Sequence, residues 1–231
     1  MSRLLLPLLL LGTVLSAAEI QSYATRVDLS PDGTGRATTT LVIAGAANEA
    51  VEIPVGLKAS GFLLASGPKG LGLEPHGAVV KVVLPPEPGV WTCSFTFTAT
   101  GLFTPEAVAE GEKAKMPGSS RVVRAAFVHT YDDPIAAFSL EVVLPAGYRF
   151  QAIKEALPKP TKKEAEPRVR LGRTDGRQTA LLRASALKQG DSTSMVLEAA
   201  PSSRSLLWLV AGLGIALLYL YMFRDTVQSR H

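Results

Sequence analysis

The residues best suited to chemistry are a histidine and two carboxylates in the stretch VHTYDDP. His129, Asp132 and Asp133 could bind a metal ion or act as an acid and a base, because imidazole and carboxylate groups serve both purposes. His129 and Tyr131 also share one face of a predicted strand, and an Asx turn before Pro134 accounts for the two aspartates without any ligand. Both interpretations stay open at this point.

Little else in the chain could complete such a site. His76 falls in a predicted glycine-proline turn and His231 is the last residue. There is no G-x-S-x-G, H-E-x-x-H or C-x-x-C motif and no phosphate-binding glycine loop. The sequence therefore predicts no metal and no cofactor. It favours a non-enzymatic protein, with an envelope hydrolase or metal-dependent enzyme using His129 with Asp132 or Asp133 as the alternative.

The elements that must position these residues are strands. Between residues 19 and 200 apolar side chains recur with a period of two, interrupted by turns rich in glycine and proline. In VWTCSFTFTAT the aromatic residues and Cys93 share one face, so we expect Cys93 to be an inert, buried thiol. Pro54 lacks a ladder donor and indicates an edge strand. About eleven strands of this kind predict an all-β, immunoglobulin-like β-sandwich.

The strands fall into two halves of equal length, 19–100 and 119–200. An irregular segment separates them, and within it residues 105–115 are predicted to form a short helix that begins after the N-cap Thr104. This division allows one sandwich or two small ones in tandem. The halves share no repeated motif, which favours one.

The two ends of the chain have compositions of their own. MSRLLLPLLLLGTVLSAAE joins a positive start, an apolar run and small residues at positions 16 and 18, which is typical of a signal peptide cleaved after Ala18. Residues 206–223 carry no charge, and as a helix they would extend roughly 27 Å. That run is predicted to be a membrane-spanning helix, since it has no polar face to turn toward water.

Aromatic and basic residues mark the ends of this run. Trp208 lies near its start, Tyr219 and Tyr221 lie near its end, and Arg224 follows, as expected of anchors at the two membrane interfaces. A cleaved leader and a later stop-transfer helix place the β domain outside the membrane. The predicted parts are a signal peptide (1–18), a β domain (19–200), a tether (201–205), a transmembrane helix (206–223) and a cytoplasmic tail (224–231).

Other features bear on compartment and partners. One cysteine excludes an internal disulfide, and the single asparagine, Asn48, forms no glycosylation sequon, which favours a bacterial inner-membrane protein with a periplasmic domain. Gly212 and Ala216 are four residues apart, a spacing at which another helix can approach closely. We expect a binding or accessory subunit at the outer face of the cytoplasmic membrane, in contact with the bilayer and with a membrane-protein partner or a second copy of itself.

Charge is distributed unevenly along the β domain. Residues 151–191 contain ten basic and five acidic side chains, whereas 19–150 contain ten basic and thirteen acidic ones. The proline-rich stretch 158–167 is predicted to be an extended loop, either a solvated connection or a contact for anionic lipid headgroups or an acidic partner. Nucleic acid is not expected as a partner, because no basic surface motif interleaved with aromatic residues is present.

Overall fold

The computed structural model describes residues 18–105, 120–132, 134–157, 169–202 and 204–223. Within these ranges the chain is nearly all β, with strands in three sheets and one helix at the carboxyl end. The strands are β1 (Glu19–Leu29), β2 (Gly35–Gly45), β3 (Ala50–Pro54), β4 (Lys58–Ser66), β5 (Gly72–His76), β6 (Val79–Val83), β7 (Gly89–Thr100), β8 (Phe103–Pro105), β9 (Arg121–Val128), β10 (Ile135–Val143), β11 (Tyr148–Leu157), β12 (Val169–Thr174), β13 (Arg177–Leu187) and β14 (Ser192–Pro201), and the helix is α1 (Arg204–Met222).

Several predicted features fall outside the described ranges. They are residues 1–17 of the predicted leader, 106–115 of the predicted short helix, the predicted loop 158–167, Asp133 and the predicted tail 224–231.

A seven-stranded sheet forms the largest layer, in the order β12-β13-β10-β1-β2-β7-β4. Its centre is a parallel pairing of β1 with β10, and β1 also pairs with β2 in antiparallel fashion. Because β1 and β10 come from different halves of the chain, the two halves share this sheet. Two separate sandwiches in tandem would not share a sheet.

The other two sheets cover the face of the large sheet that carries Tyr23. One has the order β11-β14-β9-β8 and the other β3-β6-β5. The Tyr23 ring lies 5.0 Å from that of Phe127 in β9, and its hydroxyl donates to the carbonyl oxygen of Pro54 in β3 at 3.1 Å. Since β3 is outermost in its sheet, the predicted edge position of Pro54 is confirmed.

Two local predictions need correction. His76 was predicted to lie in a turn, but it is the last residue of β5 and pairs with Val79 in β6, so the turn consists of Gly77 and Ala78. Gly77 has φ +63°, a conformation that suits glycine. In the segment predicted to be irregular, the short strand β8 pairs with β9. Three residues are too few to show an alternation that sequence could reveal.

The predicted boundary of the leader lies in a packed region. Ala18 is fully buried, and its N–H donates to Oε1 of Glu49 at 2.8 Å. Its carbonyl oxygen accepts a hydrogen bond from the Tyr131 hydroxyl at 3.3 Å. Cleavage after Ala18 would remove these contacts from the start of β1.

Strand β14 continues to Pro201 and helix α1 begins at Arg204. Only residues 202 and 203 lie between them, whereas the sequence predicts a tether over 201–205. Among the residues that the structure describes, no helix is both long enough and apolar enough to cross a membrane.

Candidate functional site

His129 follows directly after β9 and is fully buried. Its N–H donates to the carbonyl oxygen of Asp191 at 2.9 Å, and its own carbonyl oxygen accepts the N–H of Gly190 at 2.8 Å. Its ring stacks on that of Phe127, with centroids 6.5 Å apart and planes 18° apart. These contacts tie the residue to the turn between β13 and β14. A reactant would reach the imidazole only if the surrounding strands opened.

Asp132 is exposed and is hydrogen-bonded to a residue other than His129. Its Oδ1 accepts a hydrogen bond from Nε2 of Gln189 at 2.6 Å. In the described part of the chain no three histidine, cysteine, aspartate or glutamate side chains are grouped closely enough to hold a metal ion. The structure therefore encloses His129 and gives Asp132 a partner at the surface.

Two titratable groups of the core, Cys93 and Tyr23, are held neutral by burial. Cys93 is 1% exposed, as predicted, and desolvation raises the pKa of its thiol to about 11. Desolvation also raises the pKa of Tyr23 to about 12, against smaller opposing effects of hydrogen bonds to Thr25 and Thr39. A protonated thiol is a poor nucleophile, so Cys93 serves as a packed apolar residue.

Helix α1 presents apolar side chains to its surroundings in all directions. The side chains described are those of 210–219 and 221–223, and all of them are exposed. Leu213 is 61%, Ile215 68% and Leu218 62% exposed, although these residues point to different sides of the helix. The described strands do not cover any side of this segment.

The small residues on the helix form an open groove. Gly212 and Ala216 are one turn apart, so they lie on the same face. A Cβ atom added at Gly212 would meet no atom within 4 Å, and the same is true at Gly214. Along this stretch a second helix could approach without steric hindrance from the described residues.

The predicted interface anchors are only partly visible. Tyr219 and Tyr221 are exposed near the end of the helix, and the Tyr219 ring lies 4.6 Å from that of Phe223. The backbone of Trp208 is helical, but its side chain lies outside the described set, as does Arg224.

Sequence reasoning missed one group of polar residues. Arg149 and Arg173 line a common pocket with Ser202, close to the start of helix α1. These arginines are far apart in the chain, so no motif links them. The basic excess of residues 151–191 is the only signal that pointed toward this region, and it does not include Arg149.

Comparison with known proteins adds little about function. No protein-family model matches the chain, and no curated protein matches it. Among solved structures it is similar to an M1 zinc metallopeptidase from Deinococcus radiodurans (14% identity, TM-score 0.44), covering 80% of this chain and 42% of that one. It is also similar to a protein described as a protease from Parabacteroides distasonis (8% identity, TM-score 0.41), covering 79% of this chain and 41% of that one. The chain thus spans less than half the length of these structures. Similarity at these TM-scores is too low to establish a shared fold or function.

Proposed function

We propose that this protein is a membrane-anchored β-sandwich protein, held by one helix, that acts as a non-enzymatic binding or accessory subunit at the outer face of the cytoplasmic membrane. The observation that carries the proposal is the exposure of helix α1 on every described side. A helix that is apolar all round is stable only where lipid or other apolar surface covers it.

Lipid is the cover that best fits the dimensions. No helix among the described residues is long and apolar enough to span a membrane, but the side chains of α1 are described only from residue 210. The uncharged run in the sequence begins at residue 206 and continues to 223. Its eighteen residues would extend roughly 27 Å, close to the thickness of a hydrocarbon core. Aromatic residues near both ends of the run suit the interfaces on either side.

The predicted leader supplies the orientation. A signal peptide over residues 1–18 would carry the β domain across the membrane, and the helix would then stop transfer and leave the tail 224–231 in the cytoplasm. The chain would then work at the outer surface of a bacterial inner membrane. The short connection from Pro201 to Arg204 keeps the β domain against that surface.

Two further features support a binding role: an open face on the helix and an outer strand edge. The open face around Gly212 and Ala216 leaves room for a second helix. Strand β4 is outermost in the seven-stranded sheet, and no described strand pairs with its outer edge. The hydrolase alternative, with His129 and Asp132 or Asp133, stays a prediction. No observation on the described residues favours it.

The binding role is tested by the size of the particle in mild detergents. The full chain should purify as a complex larger than a monomer, with itself or with another membrane protein. Gly212→Leu and Ala216→Leu should reduce that size, because a bulky side chain fills the groove. Gly214→Leu is the matched control, since Gly214 is equally open but faces about 200° away from Gly212.

A monomer in every mild detergent would contradict the proposal that the helix recruits a partner. An equal effect of Gly214→Leu and Gly212→Leu would show that the face carrying Gly212 and Ala216 has no special role.

A further inference from the structure

The last residue of the predicted leader is part of the folded domain. Ala18 comes directly before β1 and is fully buried. Its N–H donates to Oε1 of Glu49 at 2.8 Å, and its carbonyl oxygen accepts the Tyr131 hydroxyl at 3.3 Å. Ala18 thus joins two parts of the chain that lie 31 and 113 residues away from it.

The space for the Ala18 methyl group depends on a glycine. A Cβ atom added at Gly45 would lie 3.1 Å from the Cβ of Ala18 and 3.0 Å from Oε2 of Glu49, and it would overlap Cδ1 of Leu84. A larger residue at position 45 would therefore displace these neighbours. Ala18 occupies a place that the rest of the domain leaves open for it.

Glu49 is held in position by the backbone around it. Its N–H donates to the carbonyl oxygen of Ala46 at 3.4 Å, and its carbonyl oxygen accepts the N–H of Leu84 at 2.8 Å. Its Oε2 accepts the N–H of Ala46 at 2.8 Å, which leaves Oε1 for Ala18. Among the described residues no lysine, arginine or histidine pairs with Glu49. Each oxygen thus has an N–H partner, but no positive charge lies beside this partly buried carboxylate.

The start of β1 lies far from helix α1. Ile20 is opposite Ile135, the first residue of β10, and the two strands run parallel. Past the other end of β10, the carbonyl oxygen of Gly147 accepts the N–H of Ser202, just before α1. Because β10 has nine residues, roughly 26 Å of strand separate the two places.

A leader that stayed attached would have to reach the bilayer from this far end of the domain. Its apolar run ends at Val14, and the four steps from Val14 to Ala18 span at most about 14 Å. The leader and α1 could then share one bilayer only if the domain lay on its side. The separation therefore favours removal of the leader.

Two peptide bonds have a small residue directly before them. The sequence predicts a cut after Ala18, which puts Ser16 at the third position before the bond. A cut after Ala17 puts Leu15 there, which departs from the usual small residue. The first cut would remove Ala18 with all its contacts, whereas the second would keep them.

We propose that the leader is cut between Ala17 and Ala18, and that the new α-ammonium group of Ala18 pairs with Glu49. This inference rests on the leader of the proposed function. A signal peptidase would add one water molecule across the bond: the hydroxyl joins the carbonyl carbon of Ala17 and the hydrogen joins the nitrogen of Ala18. At neutral pH the acid proton also passes to that nitrogen, which gives a carboxylate and an ammonium group.

The new charge suits the place where it forms. The nitrogen of Ala18 already lies 2.8 Å from Oε1 of Glu49 as a peptide N–H. As an ammonium group it would supply the missing cation, and a charge-assisted hydrogen bond is stronger than one between neutral partners. The cut would thus convert an existing contact into an ion pair at the start of β1.

Identification of the first residue tests the position of the cut. The full chain is produced with its leader in bacterial cells, and membrane and soluble fractions are collected separately. Amino termini are dimethylated before digestion, and the first peptide is identified by mass spectrometry. The chain should begin at Ala18. A chain that begins at Glu19 would overturn the proposed cut.

Two leader variants distinguish the neighbouring bonds. Ala17→Leu places a bulky residue directly before the proposed cut and should abolish the product that begins at Ala18. Ser16→Leu is the matched control, because it alters the third position before the Ala18–Glu19 bond but only the tolerant second position before the proposed one. It should leave the product unchanged. The opposite pattern would place the cut after Ala18 and overturn the proposal.

The ion pair is tested by the reactivity of the new amine. In the native chain the α-amine should be methylated about threefold or more slowly than in Glu49→Gln, because a carboxylate favours the unreactive ammonium form. Glu49→Asp keeps the charge, guards against a folding defect and should retain part of this protection. Glu52→Gln removes an exposed carboxylate from β3 and should leave the rate unchanged. Equal rates in the native chain and Glu49→Gln would overturn the ion pair.

Failure of the proposed function gives different results. A chain that keeps Met1 has no cleaved leader, and that result would overturn both the cut and the proposed orientation. A chain that begins at Ala18 but is recovered only in the soluble fraction would refute the membrane anchor and support the cut.

Discussion

Strand β7 and helix α1 are both rich in apolar residues, but they place them in opposite environments. In β7 the side chains of Cys93, Phe95 and Phe97 are at most 2% exposed, whereas Leu213 and Ile215 in α1 are 61% and 68% exposed. The strand alternates, so one face packs on the core while threonines face outward. The described part of the helix has no polar face, so it cannot turn one face to a core and another to water. Apolar surface in β7 stabilises the fold of this chain, whereas apolar surface in α1 is left uncovered by the described strands.

Truncation inside β7 should have the largest effect. Phe95 is fully buried, and its ring lies 6.1 Å from that of Phe97. Phe95→Ala should lower the free energy of unfolding by about 3–5 kcal/mol, because burial is lost and a cavity remains. Urea unfolding of the full chain in mild detergent, followed by far-ultraviolet circular dichroism, measures this loss.

Thr98→Ala, at an exposed position of the same strand, is the control and should change stability by no more than about 0.5 kcal/mol. Similar losses for the two variants would mean that β7 does not bury one face.

Alkaline pH should weaken the same core by a smaller amount. The pKa of Cys93 rises from 9.0 to about 11 and that of Tyr23 from 10.0 to about 12, both chiefly by desolvation. Both groups ionise at lower pH in the unfolded chain, so stability is full below pH 9 and falls as pH rises toward 12. For Tyr23 the loss is about 3 kcal/mol once pH exceeds its folded pKa.

Urea unfolding at successive pH values between 8 and 12 follows this loss. Tyr23→Phe should flatten the part of the curve above pH 10, since phenylalanine has no proton to lose. An unchanged slope in that variant would show that Tyr23 is not the group responsible.

Truncation in the helix should have the smallest effect on the β domain. Leu213→Ala should leave its free energy of unfolding within about 0.5 kcal/mol of the native value, because the described strands do not cover Leu213. The same urea experiment measures it. A loss comparable to that of Phe95→Ala would place Leu213 in the core and remove the contrast between the two elements.

Sequence alone predicts much of the β region because alternation states which face of a strand is buried. It correctly placed Cys93 in the core and Pro54 at an edge. The sequence could not predict that β1 pairs with β10. A period of two shows which face of a strand is buried, but it does not show which strand lies next to it. It also missed β8, which is too short to alternate.

For the candidate sites too, sequence pattern predicted local features but not tertiary contacts. His129 and Tyr131 were expected to share a strand face, but the strand ends before His129 and the β13–β14 turn holds it by backbone hydrogen bonds. Arg149 and Arg173 line one pocket only because β11 and the β12–β13 hairpin come together where two sheets join. Their proximity depends on tertiary structure, which the local sequence pattern does not reveal.

Membrane extraction tests the central claim most directly. Cells producing the full chain are broken and their membranes washed with alkaline carbonate, which releases peripheral proteins. The native chain should stay in the membrane pellet, and Leu213→Lys/Leu217→Lys should move it to the supernatant, because charges at the bilayer centre oppose insertion. Leu63→Lys/Leu64→Lys, on exposed leucines of β4, adds the same charge and should leave the chain in the pellet. A native chain recovered in the supernatant would contradict the membrane anchor.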